Sequence, residues 1–254
     1  MKSIRKILPW AMRAVFQDLH LITYAVEPAR LAAALPPGIH PTIHSGCAFV
    51  SIVVASMRGM RPGFVPALLG SNAYQVVYRS VVHLRLRDGG IRHGVFFLRS
   101  DCNDPLLSFL GNMLTEFRFH FFHSSSIGLY ERHEQSLISV QTRDGAGDLV
   151  LVTRDQGRMT DHPPCSLFPS VSAENAALVE LFHAFSYDPA SRAINDMQIE
   201  RRDWHARRVA ITDAFSSFFA DTSALPGNLI SALAIRECEY VWQPMKTVPL
   251  SELA

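Results

Sequence analysis

Residues 74–87 alternate between two kinds of side chain, and this alternation limits what the chain can fold into. The even positions are largely apolar: Tyr74, Val76, Tyr78, Val82, Leu84 and Leu86. The odd positions carry most of the polar groups, including Gln75, Arg79 and His83. Because successive side chains of a strand point to opposite faces, the pattern predicts a strand with one apolar and one polar face. That polar face either meets solvent or lines an internal cavity, and the pattern alone leaves both readings open.

The residues that follow predict more strands and one helix. Asp88-Gly89-Gly90 is typical of a turn, so residues 91–100 are expected to form a hairpin with the first strand. A helix is predicted over Pro105–Leu114 and a strand over residues 117–123. Residues 127–132, 136–143 and 149–154 then read as a meander of three strands.

The remaining segments complete a predominantly β pattern. Residues 47–57 form a near-continuous apolar run rich in Val and Ile, which is typical of a strand covered on both sides. Glu27-Pro28 is expected to begin a helix that ends at Pro36-Pro37-Gly38. Helical spacing predicts a helix over 172–186 and a short one over 226–234, whereas 194–204, 207–214 and 235–242 look extended. With no linker or internal repeat, we expect a single α+β domain over residues 1–254.

Composition excludes several classes of protein. The net charge is +1, so no global field attracts nucleic acid or an anionic membrane. No apolar run reaches the ~18 residues of a membrane span, and no signal peptide is evident, so a cytoplasmic location is expected. The four cysteines form no C-x-x-C pair, which favours reduced thiols over a zinc site or a disulfide scaffold.

Lysine is scarce. The chain has Lys2, Lys6 and Lys246, and every other basic residue among its 24 is arginine. A chain with lysines only near its ends has few candidates for an amine nucleophile.

A basic and aromatic run, F-R-F-H-F-F-H, supplies the other candidate site residues. If residues 117–123 form a strand, Arg118 and His120 share one face, and Arg118 could grip a carboxylate with its planar guanidinium. Arg79 offers a similar anchor, and a buried arginine needs a counter-ion such as Glu116 or a bound anion. His120 and His123 would face opposite sides of a strand, which argues against a shared metal ion. Stacking on single-stranded nucleic acid is a minor alternative for this run.

Several motifs in order resemble a known family. They are Y-A-V-E-P-A-R-L-A-A-A-L-P-P-G-I, G-C-A-F-V-S-I-V with M-R-G-M-R-P, Q-V-V-Y-R-S-V-V, and H-G-V-F-F-L. Together they are similar to the bacterial domain of unknown function 2071 family, which is related to acetoacetate decarboxylase. The resemblance covers about residues 10–155 and implies a curved, barrel-like, mostly antiparallel sheet with flanking helices around a central pocket.

The resemblance also implies where a decarboxylase would hold its reactive groups. Acetoacetate decarboxylases attack a β-keto acid with a lysine and form a Schiff base, assisted by a glutamate. The place of the lysine falls close to Phe121, the preceding proline is replaced by His120, and the glutamate is replaced by Gln75. Arg79 matches an arginine common in the uncharacterised branch. The chain therefore departs from the decarboxylase pattern at the chemically decisive positions.

Three functions remain open. The first is binding, and conversion without a Schiff base, of a small organic (keto) acid, with Arg79 and Arg118 as anion anchors, Gln75 as an orienting partner and His120 as a proton-transfer group. Such an enzyme would be lyase-like or hydrolase-like. The second is a non-catalytic binding or interaction protein, and the third is a decarboxylase that uses Lys246. No cofactor or metal is expected, and a homo-oligomer stays open.

Overall fold

Strands dominate this computed structural model, which describes residues 6–123, 127–132, 135–155, 167–221 and 227–254. The strands are β1 (Met12–Val26), β2 (His40–Pro41), β3 (Ala48–Pro62), β4 (Ser71–Arg85), β5 (Ile91–Cys102), β6 (Phe119–Phe121), β7 (Ile127–Arg132), β8 (Gln135–Val140), β9 (Leu149–Asp155), β10 (His183–Asp188), β11 (Ala193–Arg202), β12 (Ala206–Ser216), β13 (Gly227–Trp242) and β14 (Lys246–Pro249). The helices are α1 (Pro28–Ala34), α2 (Pro105–Leu114), α3 (Val171–Leu178) and α4 (Ser217–Asp221), with 3₁₀ turns at Ala67–Leu69 and Leu250–Glu252. Among the described residues, no helix has the length and hydropathy to cross a bilayer.

One curved sheet contains these strands in the order β14-β11-β10-β5-β4-β3-β1-β13-β12-β9-β8-β7, with β2 beside β4 and β6 beside β5. It is mixed, because β10 and β6 run parallel to β5 whereas the other pairs are antiparallel. β11 also pairs with β13, so that Ile199 lies opposite Trp242. This second pairing brings the strand path back on itself, and the strands from β11 through β4 to β13 enclose an interior. The predominantly β fold with a curved sheet is confirmed, and a single domain stays our prediction.

The two faces of the enclosing strands pack into separate apolar clusters. Phe16, Met57 and Tyr240 belong to a cluster on the inner side. Val76 and Tyr78 belong to a second cluster, which β8 and β9 cover from outside. The alternation of β4 therefore separates an inner from an outer face, as strand geometry requires.

The predicted hairpin between β4 and β5 is present, with Arg85 opposite Ile91 and Gln75 opposite Cys102. In its turn Leu86 N donates to Gly90 O at 2.8 Å. Gly89 has a φ of +87°, a conformation that glycine adopts without steric cost.

Helix α2 begins and ends where the sequence predicts. Asp104 caps it, because its Oδ1 accepts a hydrogen bond from Leu107 N at 2.9 Å, and Pro105 occupies the first turn. The side chain of Asn112 then makes two 2.7 Å hydrogen bonds with the backbone N and O of Phe119. A Cβ on Gly111 would lie 2.5 Å from the Phe119 ring, so glycine permits close packing of α2 on β6. The helix thereby fixes the position of β6 beside the interior.

The strand predicted over 117–123 is shorter than expected. Only Phe119–Phe121 pairs with β5, and Arg118 has a φ of +54°. A left-handed residue breaks the alternation of faces. Arg118 therefore does not share a strand face with His120.

In the C-terminal part, one predicted helix is confirmed only over its first half and another is wrong. The helix over 172–186 is α3 alone, capped by Ser170, and the chain then enters β10 between β5 and β11, where Ala184 and Phe185 are buried. The short helix predicted over 226–234 is the start of β13, which pairs with β1 from Gly227 onward. In both places, burial within the sheet overrides the local helical spacing.

Candidate functional site

A cavity of about 200 Å³ lies in the interior that the strands enclose. Its walls come from β1, β3, β4, β5, β11 and β13, and α2 with residues 115–119 covers one side. Most lining side chains are apolar. The polar exceptions among the described residues are Gln75, Arg79, Thr115, the hydroxyl of Tyr240 and the indole N–H groups of Trp10 and Trp242.

Arg79 is the charged residue of this cavity, and it is only 9% exposed. Its cross-strand neighbours are Ser51 and Phe97, and no carboxylate of the described residues pairs with it. The buried Nε has no hydrogen-bond partner. Burial lowers the pKa of Arg79 to about 10, so the side chain is still a cation at pH 7. The cavity therefore contains a desolvated positive charge that lacks a counter-ion from the described chain.

Tyr240 places a hydroxyl near Arg79. Its ring packs edge-on against Phe16, with 4.5 Å between the ring centroids. Burial raises the pKa of Tyr240, although Arg201 and Arg79 oppose this rise, so the hydroxyl stays neutral and able to donate. Arg201 interacts with this hydroxyl and is itself held between the rings of Phe182 and Trp204, 5.0 and 4.5 Å from their centroids.

Gln75 lies on the same face of β4 as Arg79. Its Nε2 donates to the buried Ser100 Oγ at 3.0 Å, so β5 orients the amide group. Gln75 and Arg79 are thus the two predicted site residues that line the cavity. The polar face of β4 is turned inward at these positions.

The other predicted residues lie outside the cavity lining. Arg118 is exposed, and because its φ is positive, its side chain does not follow the alternating faces of β6. Glu116 pairs with Lys6, with 3.3 Å between Oε1 and Nζ. His120 is 44% exposed, and its Nδ1 is 3.8 Å from Asp144 Oδ2. Phe121, the place of the decarboxylase lysine in the resemblance, is half-buried and does not line the cavity either.

His120 borders a charged cluster that has its own internal partners. Arg99 binds both oxygens of Asp101 at 2.7 Å and both oxygens of Asp144 at 2.8 and 3.0 Å. This arginine holds the pKa of Asp144 well below its usual range, whereas burial raises that of Asp101. Since Asp144 lies in the β8–β9 turn, the cluster fastens that turn to β5. Both carboxylates of this cluster are thus paired with Arg99 without a ligand.

The described residues contain no group of three or more His, Cys, Asp or Glu side chains placed to hold a metal ion. Within the same part of the chain, no Lys, His, Asp or Glu lines the cavity. Lys246 is exposed on β14, where Asp196 is its cross-strand neighbour, and Lys2 lies outside the described residues. The groups on the cavity wall that can titrate are Arg79 and Tyr240.

Sequence reasoning found Arg79 and Gln75 but missed Tyr240. The strand over 235–242 was predicted, yet its buried alternation of Cys238, Tyr240 and Trp242 was not connected with a cavity. That alternation was the available signal. The sequence does not show that β13 pairs with β1 and β11, and this pairing turns the three side chains inward.

Solved structures with this fold include acetoacetate decarboxylase of Legionella pneumophila, at TM-score 0.66 and 10% identity over 96% of this chain and 90% of that one. An acetoacetate decarboxylase-like enzyme of Sphingomonas wittichii has a TM-score of 0.61 and 12% identity, and the match covers 97% of this chain and 94% of that one. The enduracididine biosynthesis enzyme MppR complexed with pyruvate has a TM-score of 0.55 and 14% identity, and the match covers 96% of this chain and 91% of that one. At these identities the likeness shows the acetoacetate decarboxylase-like fold. No curated protein matches the sequence significantly.

The sequence itself shows the family. The profile of DUF2071, described as an uncharacterized conserved protein, matches residues 13–233, which include β1 except its first residue, the three cavity residues of β4 and the first part of β13. The chain belongs to the DUF2071 family and has an acetoacetate decarboxylase-like fold.

Proposed function

We propose that this protein binds an organic monocarboxylate in its central cavity, with Arg79 as the counter-ion and without a Schiff base. The observation that carries the proposal is the buried Arg79 without a carboxylate partner among the described residues. A desolvated charge is costly unless it is paired, and a planar guanidinium matches a carboxylate through two parallel hydrogen bonds. The Tyr240 hydroxyl would orient the bound anion, whereas Gln75, about 13 Å along β4 from Arg79 by strand rise, would lie beside the rest of the ligand.

The fold comparison is compatible with an acid ligand. One structure with this fold holds pyruvate, in the enzyme MppR, and two others are named after acetoacetate decarboxylase. Those enzymes share the architecture with this chain at low identity, so the comparison supports the location of a ligand site rather than its chemistry.

Binding without catalysis is the function that the cavity supports best. Among the described lining residues, no lysine offers an amine and no histidine or carboxylate offers a proton carrier near pH 7. His120 lies beside Asp144 outside the lining, and Arg118 and Glu116 are outside it as well. Conversion of the acid is the second candidate, because the Tyr240 hydroxyl lies near Arg79 and could transfer a proton.

A reducing compartment is part of the same proposal. Cys47, Cys102 and Cys238 are free thiols, which is usual for cytoplasmic proteins.

Two arginine variants test the anchor. We expect calorimetry at pH 7 with acetate, pyruvate, hexanoate and benzoate to identify at least one ligand. For the tightest of them, Arg79→Met should weaken binding by about ten- to hundred-fold, since hydrogen bonds to charged groups contribute ~1.5–3 kcal/mol. Arg118→Met is the matched control and should leave the affinity unchanged. Absence of binding by all four acids, or equal affinity of Arg79→Met and wild type, would refute the proposal.

Chemistry is tested separately. Borohydride reduction in the presence of pyruvate, followed by mass spectrometry, should give no lysine adduct. An adduct on Lys246 would instead support the lysine-dependent decarboxylase. If an acid is converted, His120→Ala should retain the turnover of wild type, because His120 does not line the cavity; loss of turnover with intact ligand binding would return His120 to the site.

A further inference from the structure

The cavity has its charge at one end, and its walls are mostly apolar over the rest of its length. Beyond Arg79, the face of β4 continues with Val77 and Gln75, and the face of β3 with Val53, Ala55 and Met57. Thr115 adds a hydroxyl near α2, but this group already donates to Gly111 O at 2.7 Å. A ligand held at Arg79 would therefore place most of its remaining surface against hydrocarbon, with Gln75 and the indole N–H groups of Trp10 and Trp242 as the polar exceptions.

The apolar part leads from the buried end toward the surface. Arg79 is 9% exposed, whereas Leu110, on the α2 side of the cavity, is 37% exposed. Strands rise about 3.3 Å per residue, so the wall from Val53 to Met57 alone extends about 13 Å. Met60 and Pro62 continue the same wall beyond it. A short acid such as pyruvate would leave most of this wall without contacts.

The volume sets the size of the apolar body. A cavity of 150 Å³ lined by apolar side chains holds a benzene molecule, so the roughly 200 Å³ here suits a body of about six to ten carbons. Burial of such a body contributes favourably for each methylene group.

We infer that the ligands of this cavity are amphiphilic monocarboxylates with an unbranched apolar tail of medium length, rather than short keto acids. This inference rests on the proposed binding of a carboxylate at Arg79. It adds that the tail, and not a keto group, determines which acid is selected.

A chain-length series tests the inference on the wild-type protein. Titration with butanoate, hexanoate, octanoate and pyruvate can be followed by the fluorescence of Trp10 and Trp242, which line the cavity. We expect the Kd to fall about four-fold per methylene, which corresponds to ~0.8 kcal/mol, and thus about 200-fold from butanoate to octanoate. A Kd independent of chain length, or tightest binding of pyruvate, would overturn the inference.

A cavity-filling variant gives a second measurement. Ala55 is buried beside Gln75, its cross-strand neighbour, and Ala55→Leu should narrow the cavity beyond the carboxylate site. Octanoate should then bind at least ten-fold more weakly, while butanoate keeps its affinity. Equal loss for both acids would contradict the inference, and if this variant fails to fold, the wild-type series still decides.

Two controls separate this inference from the proposed function. Octanol has the same tail as octanoate without the charge, so it should bind far more weakly, and its affinity should not depend on Arg79. If octanol binds as tightly as octanoate, both the anchor and this inference fail. If acids bind through Arg79 without any preference for length, the anchor stands and only this inference fails.

Discussion

Arg79 is expected to destabilise the ligand-free protein, because the fold places its charge in an apolar cavity. Burial lowers the pKa of Arg79 from its ordinary value to about 10. At 1.36 kcal/mol per pH unit, this fall corresponds to ~3 kcal/mol in favour of the neutral form in the folded state. The unfolded chain therefore holds the proton more tightly. The resulting penalty on folding is fully present at pH 7 and is relieved only as the pH rises above about 10.

Arg79→Met removes the charge and keeps an unbranched apolar side chain. We expect the free energy of unfolding to rise by ~1–3 kcal/mol, as when other buried charges are replaced by apolar residues. For a chain of this size, the Tm should rise on the order of 5 °C. The assay is urea denaturation of extensively dialysed protein followed by circular dichroism, with the m value as the check that the unfolded state is unchanged.

Arg154→Met is the matched control, since Arg154 is exposed on β9. Its effect should stay within about 0.5 kcal/mol. A loss of stability in Arg79→Met would refute the reasoning, because the guanidinium would then make net favourable contacts within the chain. With a bound carboxylate, wild type should become more stable than Arg79→Met, since a ligand at 100 times its Kd stabilises wild type by about 2.7 kcal/mol.

Three further predictions concern residues around the cavity and the sheet. Gly111→Ala should lower the free energy of unfolding, measured by urea denaturation, by ~1–3 kcal/mol, because the new Cβ would lie 2.5 Å from the Phe119 ring. This loss should exceed the gain from the better helix propensity of alanine. A gain in stability would show that the ring can move away. Arg99 lowers the pKa of Asp144, so the contribution of Asp144 to stability is present above pH ~4 and is lost as the pH falls. Because Asp144 is exposed, Asp144→Asn should reduce the loss of stability in acid by less than ~1 kcal/mol. An unchanged profile of stability against pH would contradict this. Burial, with neighbouring positive charges, lowers the pKa of His83 to about 4. Wild type should therefore lose stability as the pH falls from 6.5 toward 4, and His83→Asn should reduce this loss. An NMR titration in which His83 has its ordinary pKa would refute this prediction.

Local chemistry was sufficient where neighbouring residues specify the structure. The alternation over residues 74–87 predicted β4 and its two faces, and the face with Gln75 and Arg79 does line the cavity. Asp104 and Pro105 predicted the start of α2 because capping depends on groups within one turn. The family resemblance added the curved sheet and the loss of the decarboxylase lysine and glutamate.

Two arginines looked equivalent in the sequence, and only the folded chain distinguishes them. Arg79 and Arg118 both lie between apolar residues, but the left-handed backbone at Arg118 leaves it exposed. That conformation follows from the packing of α2 on β6, through Gly111 and Asn112, rather than from the alternating pattern.

The sequence by itself therefore determined a β-rich chain with one strand of apolar and polar faces and no lysine outside its terminal segments, whereas the fold turned the polar face of that strand toward the cavity. Tertiary structure decided that β11 pairs with β13, that Tyr240 reaches Arg79 from a strand distant in sequence, and that residues 183–188 and 227–234 are strands. The physical reason is that turns and helix caps depend on adjacent residues. A strand partner, in contrast, is selected by burial and hydrogen bonding across the whole chain, which no local window contains.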